Sequence, residues 1–63
     1  MNREYDIFEK LPDGTVLWHT LIQGLENALA SLRDLGGQSP NEFFAMHTPT
    51  KETIGRVNVK TFE

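Results

Sequence analysis

The sequence predicts an α+β domain of ββαββ order, a two-layer sandwich in which one helix packs on one face of a four-stranded, mainly antiparallel sheet. Three observations predict it. Two strand-like runs flank Leu11-Pro12-Asp13-Gly14, one apolar stripe of helical period runs from Leu25 to Leu35, and two further strand-like runs flank a turn at Pro49.

The first run covers residues 3–10, where Tyr5 and Ile7 alternate with Glu4 and Asp6 at the period of a strand. Pro12 presets a turn φ, Asp13 tolerates turn geometry and Gly14 accepts positive φ, so a hairpin follows. The second run, residues 15–22, is rich in β-branched and aromatic residues. Gln23-Gly24 breaks it. Leu25, Ala28, Leu29, Leu32 and Leu35 then fall on one face of a helix predicted over 24–36. Glu26 in the first turn and Arg33 toward the end suit the helix dipole. Gly36-Gly37 reads as a left-handed stop. Pro40 bars helical continuation, residues 42–48 read as a third strand, and residues 53–60 alternate as a fourth. Residues 61–63 read as a tail, and the 63 residues make one domain.

Leu, Ile, Val and Phe supply 17 of 63 residues, too many for a disordered chain, so a core is expected. That core is thin, because a chain this short buries only about 60% of its unfolded surface. Domains of this size gain from a disulfide, a metal or a partner subunit. The chain has no cysteine, and its two histidines stand far apart in sequence, which leaves the partner subunit.

The strand pattern points the same way. Val16, Trp18 and Ile22 are expected on one face of the second strand, and Leu17 and Leu21 on the other. Phe43 and Ala45 oppose Phe44 and Met46, and Tyr5 and Ile7 oppose Phe8. One helix cannot cover two apolar faces, and an uncovered apolar patch marks an interaction site. A homodimer that joins through the helix-free face, and binds another protein there, is therefore expected. Trp18 is the first anchor candidate, with Leu17, Leu21, Phe44 and Met46 as an alternative, opposite set. The pattern leaves open which set faces the helix, because a one-residue change of register reverses it.

Other chemistry is weakly supported. His19 and His47 lack a companion nucleophile or ligand cluster, so no catalytic or metal role is expected. Glu4, Asp6, Glu9 and Asp13 read as a solvated strand edge rather than an acid–base pair. Gly36-Gly37 follows a helix instead of preceding one and lacks the spacing of a phosphate loop. The aromatics Tyr5, Phe8, Trp18, Phe43 and Phe44 could stack on bases, but the six basic residues are scattered and the net charge is −3. Cofactor and membrane are accordingly not expected as partners and nucleic acid is disfavoured, with a nucleic-acid-binding or antitoxin-like regulator and a small-ligand-binding domain as the alternatives to an interaction module. No apolar run approaches a membrane span, and Met1–Asp6 shows no signal-peptide segment, so a cytoplasmic setting is expected.

Residues 5–59 resemble a group of short bacterial proteins of uncharacterised function. The resemblance is carried by Tyr5-Asp6-Ile7-Phe8-Glu9, Pro12-Asp13-Gly14, Trp18, Gly24-Leu25-Glu26, Ser39-Pro40-Asn41-Glu42 and Arg56-Val57-Asn58. It implies the ββαββ fold and brings no site residues. The hairpin followed by Gly24-Leu25-Glu26-Asn27-Ala28 is also similar to HicB-type antitoxins. Ile22-Gln23-Gly24 runs straight into the helix, however, without that family's Leu-Pro-Gly-Cys-like segment, so this likeness is one of strand order alone and does not support an antitoxin.

Overall fold

The structure, a computed structural model, describes residues 3–59. The strands are β1 (Glu4–Lys10), β2 (Val16–Gln23), β3 (Glu42–His47) and β4 (Glu52–Val57), with the helix α1 (Leu25–Gln38) between β2 and β3. All neighbours are antiparallel, in the order β2-β1-β3-β4, so the fold is α+β with an open sheet. β2, α1 and β3 form a split crossover, with β1 lying between the two strands it joins. The sequence reading of the tail, residues 61–63, lies outside the described residues.

The hairpin closes as its residues dictate. Gly14 N–H donates to the Leu11 carbonyl at 2.9 Å, Leu11 N–H to the Thr15 carbonyl at 2.8 Å, and Asp13 Oδ1 accepts from Thr15 N–H at 2.9 Å. That last bond holds the Asp13 carboxyl below its ordinary pKa.

The core lies between helix and sheet. Tyr5 and Ile7 of β1, Phe43 and Ala45 of β3, and Ala28 and Leu32 of α1 are buried, and Ile22, Leu29, Leu35, Ile54 and Val57 pack around them. Burial alternates along the two inner strands, as a one-sided sheet requires. Leu25, at the first helical position, is exposed, so the buried part of the stripe is shorter than its period suggests.

Three local expectations are corrected. First, the helix runs through Gly36 and Gly37 to Gln38, and neither glycine has positive φ. The stop comes from Ser39, already extended, ahead of Pro40. Arg33 therefore lies mid-helix, and the last turn has no basic residue. Second, β1 is an inner strand rather than a solvated edge. Third, β4 ends at Val57, and Asn58 turns away with φ 55°. Its Nδ2 donates to the carbonyls of Gly36 at 2.9 Å, Ser39 at 2.8 Å and Asn41 at 3.1 Å. The two hydrogens of this one amide are thus shared among a carbonyl of the last helical turn, Gly36, and two of the segment that follows, Ser39 and Asn41.

Gly36 serves this junction. A Cβ there would lie 2.9 Å from Val57 Cγ2 and 3.3 Å from Val57 Cβ, whereas one at Gly37 meets nothing. Gly36→Ala is therefore expected to lower unfolding stability by about 1–2 kcal/mol, since overpacking outweighs the gain in helix propensity. Gly37→Ala is expected to raise it by up to about 1 kcal/mol. Urea denaturation of the two variants checks the opposite signs.

Candidate interaction surface

The register places side chains on the sheet face away from α1. Between Ile7 and Phe8 the pairing with β2 skips a residue: Ile7 lies opposite Thr20 and Phe8 opposite Trp18, leaving His19 as the extra residue of a β-bulge. The bulge changes which β2 residues share a face. Trp18 lies opposite Phe8, and Leu21 opposite Asp6, so both are on the helix-free face. Ile22, opposite Tyr5, and Leu17, opposite Glu9, are on the helix side. The sequence reading put Trp18 with Ile22 and Leu17 with Leu21. It assumed unbroken alternation, which a bulge reverses.

Of the five anchor candidates, the structure therefore gathers Trp18, Leu21, Phe44 and Met46 on the helix-free face and leaves Leu17 off it. Directly opposed pairs form two rows across the sheet. One runs Trp18, Phe8, Phe44, Arg56, and the other Leu21, Asp6, Met46, Thr53. Phe8, which the sequence sets opposite Tyr5 and Ile7 and which is not among the anchor candidates, lies between Trp18 and Phe44 in the first row. Alternation alone marks it.

The first row is a packed strip. The Phe8 and Phe44 rings stack with centroids 5.1 Å apart and planes inclined by 20°. The Arg56 guanidinium lies over Phe44, 5.7 Å from the ring centroid, and its Nη1 meets Glu42 Oε2 at 3.1 Å. Trp18 donates from Nε1 to Asp6 Oδ1 at 3.2 Å, and Asp6 Oδ2 accepts from Thr48 Oγ1 at 3.1 Å. The indole is thus oriented across the sheet while remaining 59% exposed. A large ring held in place yet left in water has its ordering cost already met before a partner arrives.

The candidate chemical groups are dispersed. His19, on the bulge, contacts Glu9 Oε1 through Nε2 at 2.7 Å and packs edge-on against Phe43, with ring centroids 5.5 Å apart. His47 contacts Thr50 Oγ1 through Nδ1 at 2.9 Å and lies against Tyr5, at the other end of β1. The two histidines do not meet. Glu4 and Asp6 face away from α1, Glu9 faces its layer, and Asp13 serves the turn. Among the described residues no three His, Cys, Asp or Glu side chains converge to hold a metal. An open groove of about 500 Å³ at the helix C-terminus is lined by Gly36, Gly37, Gln38, Ser39, Pro40, Asn58 and Val59, none of them titratable.

Glu9 is the most constrained carboxylate. Its Oε2 accepts from Asn41 Nδ2 at 2.6 Å while Oε1 meets His19. The Asn41 bond, and then the His19 contact, hold the carboxyl below its ordinary pKa. A depressed folded-state pKa adds stability above the unfolded-state value, and that stability is lost as pH falls through the folded value. Glu9→Gln should therefore be less stable than the wild type at neutral pH, with the gap closing as pH drops below about 4.3, the ordinary glutamate value. Urea midpoints across that range check it, and a gap that stays constant into acid would count against the network.

No helix among the described residues is long and apolar enough to cross a membrane. Comparisons of the chain with protein-family models, curated proteins and solved structures return no match.

Proposed function

We propose that this chain is a small, non-enzymatic interaction module that self-associates through the helix-free sheet face, with Trp18 as its anchor. One observation carries the reading. The row Trp18, Phe8, Phe44 lies on the sheet face away from the core of the described residues, with its indole oriented by Asp6 and still exposed. Tryptophan in such a setting has the character of an interface hot spot.

The surroundings of the row favour protein over nucleic acid. Of the basic residues on this face, Arg56 is engaged by Glu42, and Lys10 shares the face with Glu4 and Asp6. A phosphate backbone would need a basic stripe there. A cytoplasmic location and kinship with the short bacterial ββαββ proteins belong to the same proposal, supported respectively by the lack of cysteine and by the motifs from Tyr5 to Asn58.

Trp18 is the chain's only tryptophan, so its fluorescence reports on this surface alone. On concentration from nanomolar to high micromolar, its emission is expected to shift to the blue as the indole leaves water. Emission typical of a hydrated indole throughout that range would overturn the reading.

A further inference from the structure

β2 occupies one edge of the sheet and pairs on one side only. It is eight residues long, Val-Leu-Trp-His-Thr-Leu-Ile-Gln, without Asp, Glu, Lys, Arg or proline. Edge strands are ordinarily blunted by lysine, proline, shortness or a cover, and of the usual devices β2 has only its bulge. The opposite edge, β4, is shorter, carries Glu52 and Arg56, and keeps Ile54 and Val57 partly buried against the core.

The exposed apolar side chains concentrate along this edge. Among the described residues, Val16, Leu17, Trp18 and Leu21 of β2 are exposed, together with Leu25 just beyond its end, and the one other exposed large apolar residue is Val59, past β4. They lie on both sides of the sheet, since Leu17 faces the helix layer while Val16, Trp18 and Leu21 face away from it. A partner lying flat on the helix-free face would leave Leu17 in water. A partner continuing the sheet beside β2 would give cross-strand neighbours to residues on both sides.

We propose that the partner is a second copy of this chain, its β2 antiparallel to the first, so that two four-stranded sheets join into one eight-stranded sheet about a two-fold axis. This rests on the self-association proposed above and keeps Trp18 as its anchor, but moves the contact from the flat of the helix-free face to the β2 edge of that face. A strand without Asp, Glu, Lys or Arg can meet its own copy with no carboxylate opposed to a carboxylate and no lysine or arginine opposed to another.

The bulge fixes the matching of faces. On the near side of His19 the helix-free residues are Val16 and Trp18, and on the far side Leu21 and Gln23. With the axis at the bulge, Trp18 lies opposite Leu21 of the second copy, Val16 opposite its Gln23, and Leu17 opposite its Ile22. Every pair then shares a face. The two helix-free faces become one surface with both Trp18 rings at the seam.

The chain has no cysteine, so Glu52→Cys accepts a single nitroxide on β4, exposed and away from the helix-free face. In the joined sheet the two β4 strands are seven strand spacings apart, roughly 30–35 Å. Two sheets stacked face to face, about 10 Å apart, would hold the labels within roughly 25 Å. Dipolar electron resonance on the labelled protein, with its mass read by sedimentation equilibrium, separates the cases. A dimer with the long distance supports the joined sheet. A dimer with the short distance overturns it and leaves the self-association reading standing. A monomer at high micromolar concentration overturns both. Leu17→Lys provides a second readout: it is expected to raise the dimer dissociation constant at least tenfold, and an unchanged constant would also overturn the joined sheet.

Discussion

Leu32→Ala is expected to unfold most of the protein at room temperature or leave it barely stable. Leu32 is 1% exposed and touches the core from the middle of α1, where Leu29 and Leu32 close over Gly55 of β4. Truncating a buried leucine costs about 2–5 kcal/mol, the removed methyls plus the cavity they leave. At roughly 0.05–0.15 kcal/mol per residue, a chain of this length has about 3–9 kcal/mol in all. The remaining core is too small to refill the space, because among the described residues only six side chains are buried and two of those are alanines. Circular dichroism at increasing urea, at a fixed protein concentration, reads the loss. A midpoint close to wild type would show that the helix–sheet layer is not what holds the fold.

Trp18→Ala is expected to act in the opposite way, sparing the fold and weakening association. The indole is exposed and its one hydrogen bond, to Asp6, is on the surface, so removing it exposes no cavity. Its loss should cost the dimer about 2 kcal/mol or more, which is roughly a thirtyfold rise in dissociation constant. If folding is coupled to association, the apparent urea midpoint of the wild type rises with protein concentration, and that of the variant rises less. Phe44→Ala tests the same row farther from β2. It should weaken association less than Trp18→Ala if the seam lies at the edge, since Phe44 is two strands from β2.

The fold was legible where local periodicity is decisive. Alternation set Tyr5 and Ile7 apart from Phe8, and Phe43 and Ala45 apart from Phe44 and Met46, without deciding which set meets the helix, and Leu32 fell on the apolar stripe of the helix. Pro12-Asp13-Gly14 marked the hairpin. Strand order was not legible. β1 carries Glu4, Asp6 and Glu9 and looked like an edge, yet the crossover from β2 to β3 places it inside the sheet, with Glu9 held by Asn41 and His19. Nor could sequence locate the bulge. His19 is an ordinary strand residue, and its extra position appears only when β2 is set against β1.

That one residue decides the candidate surface. Without the bulge, Trp18 and Leu21 lie on opposite faces, and the apolar residues of β2 are divided between two sides. With it, Trp18, Leu21, Phe44 and Met46 share one face, with Leu17 left behind it. Gly36-Gly37 misled for a related reason. A glycine pair after a leucine stripe resembles a stop, but Gly36 is required by a side chain 21 residues later, Val57, whose approach no local pattern encodes.

On the function proposed above, this chain binds a copy of itself through Trp18 and its neighbours. Sedimentation equilibrium of the wild type from low to high micromolar concentration tests it most directly. A mass that rises with concentration from the 7.2 kDa of one chain to twice that value is the predicted result. A mass that stays at one chain throughout would contradict the claim.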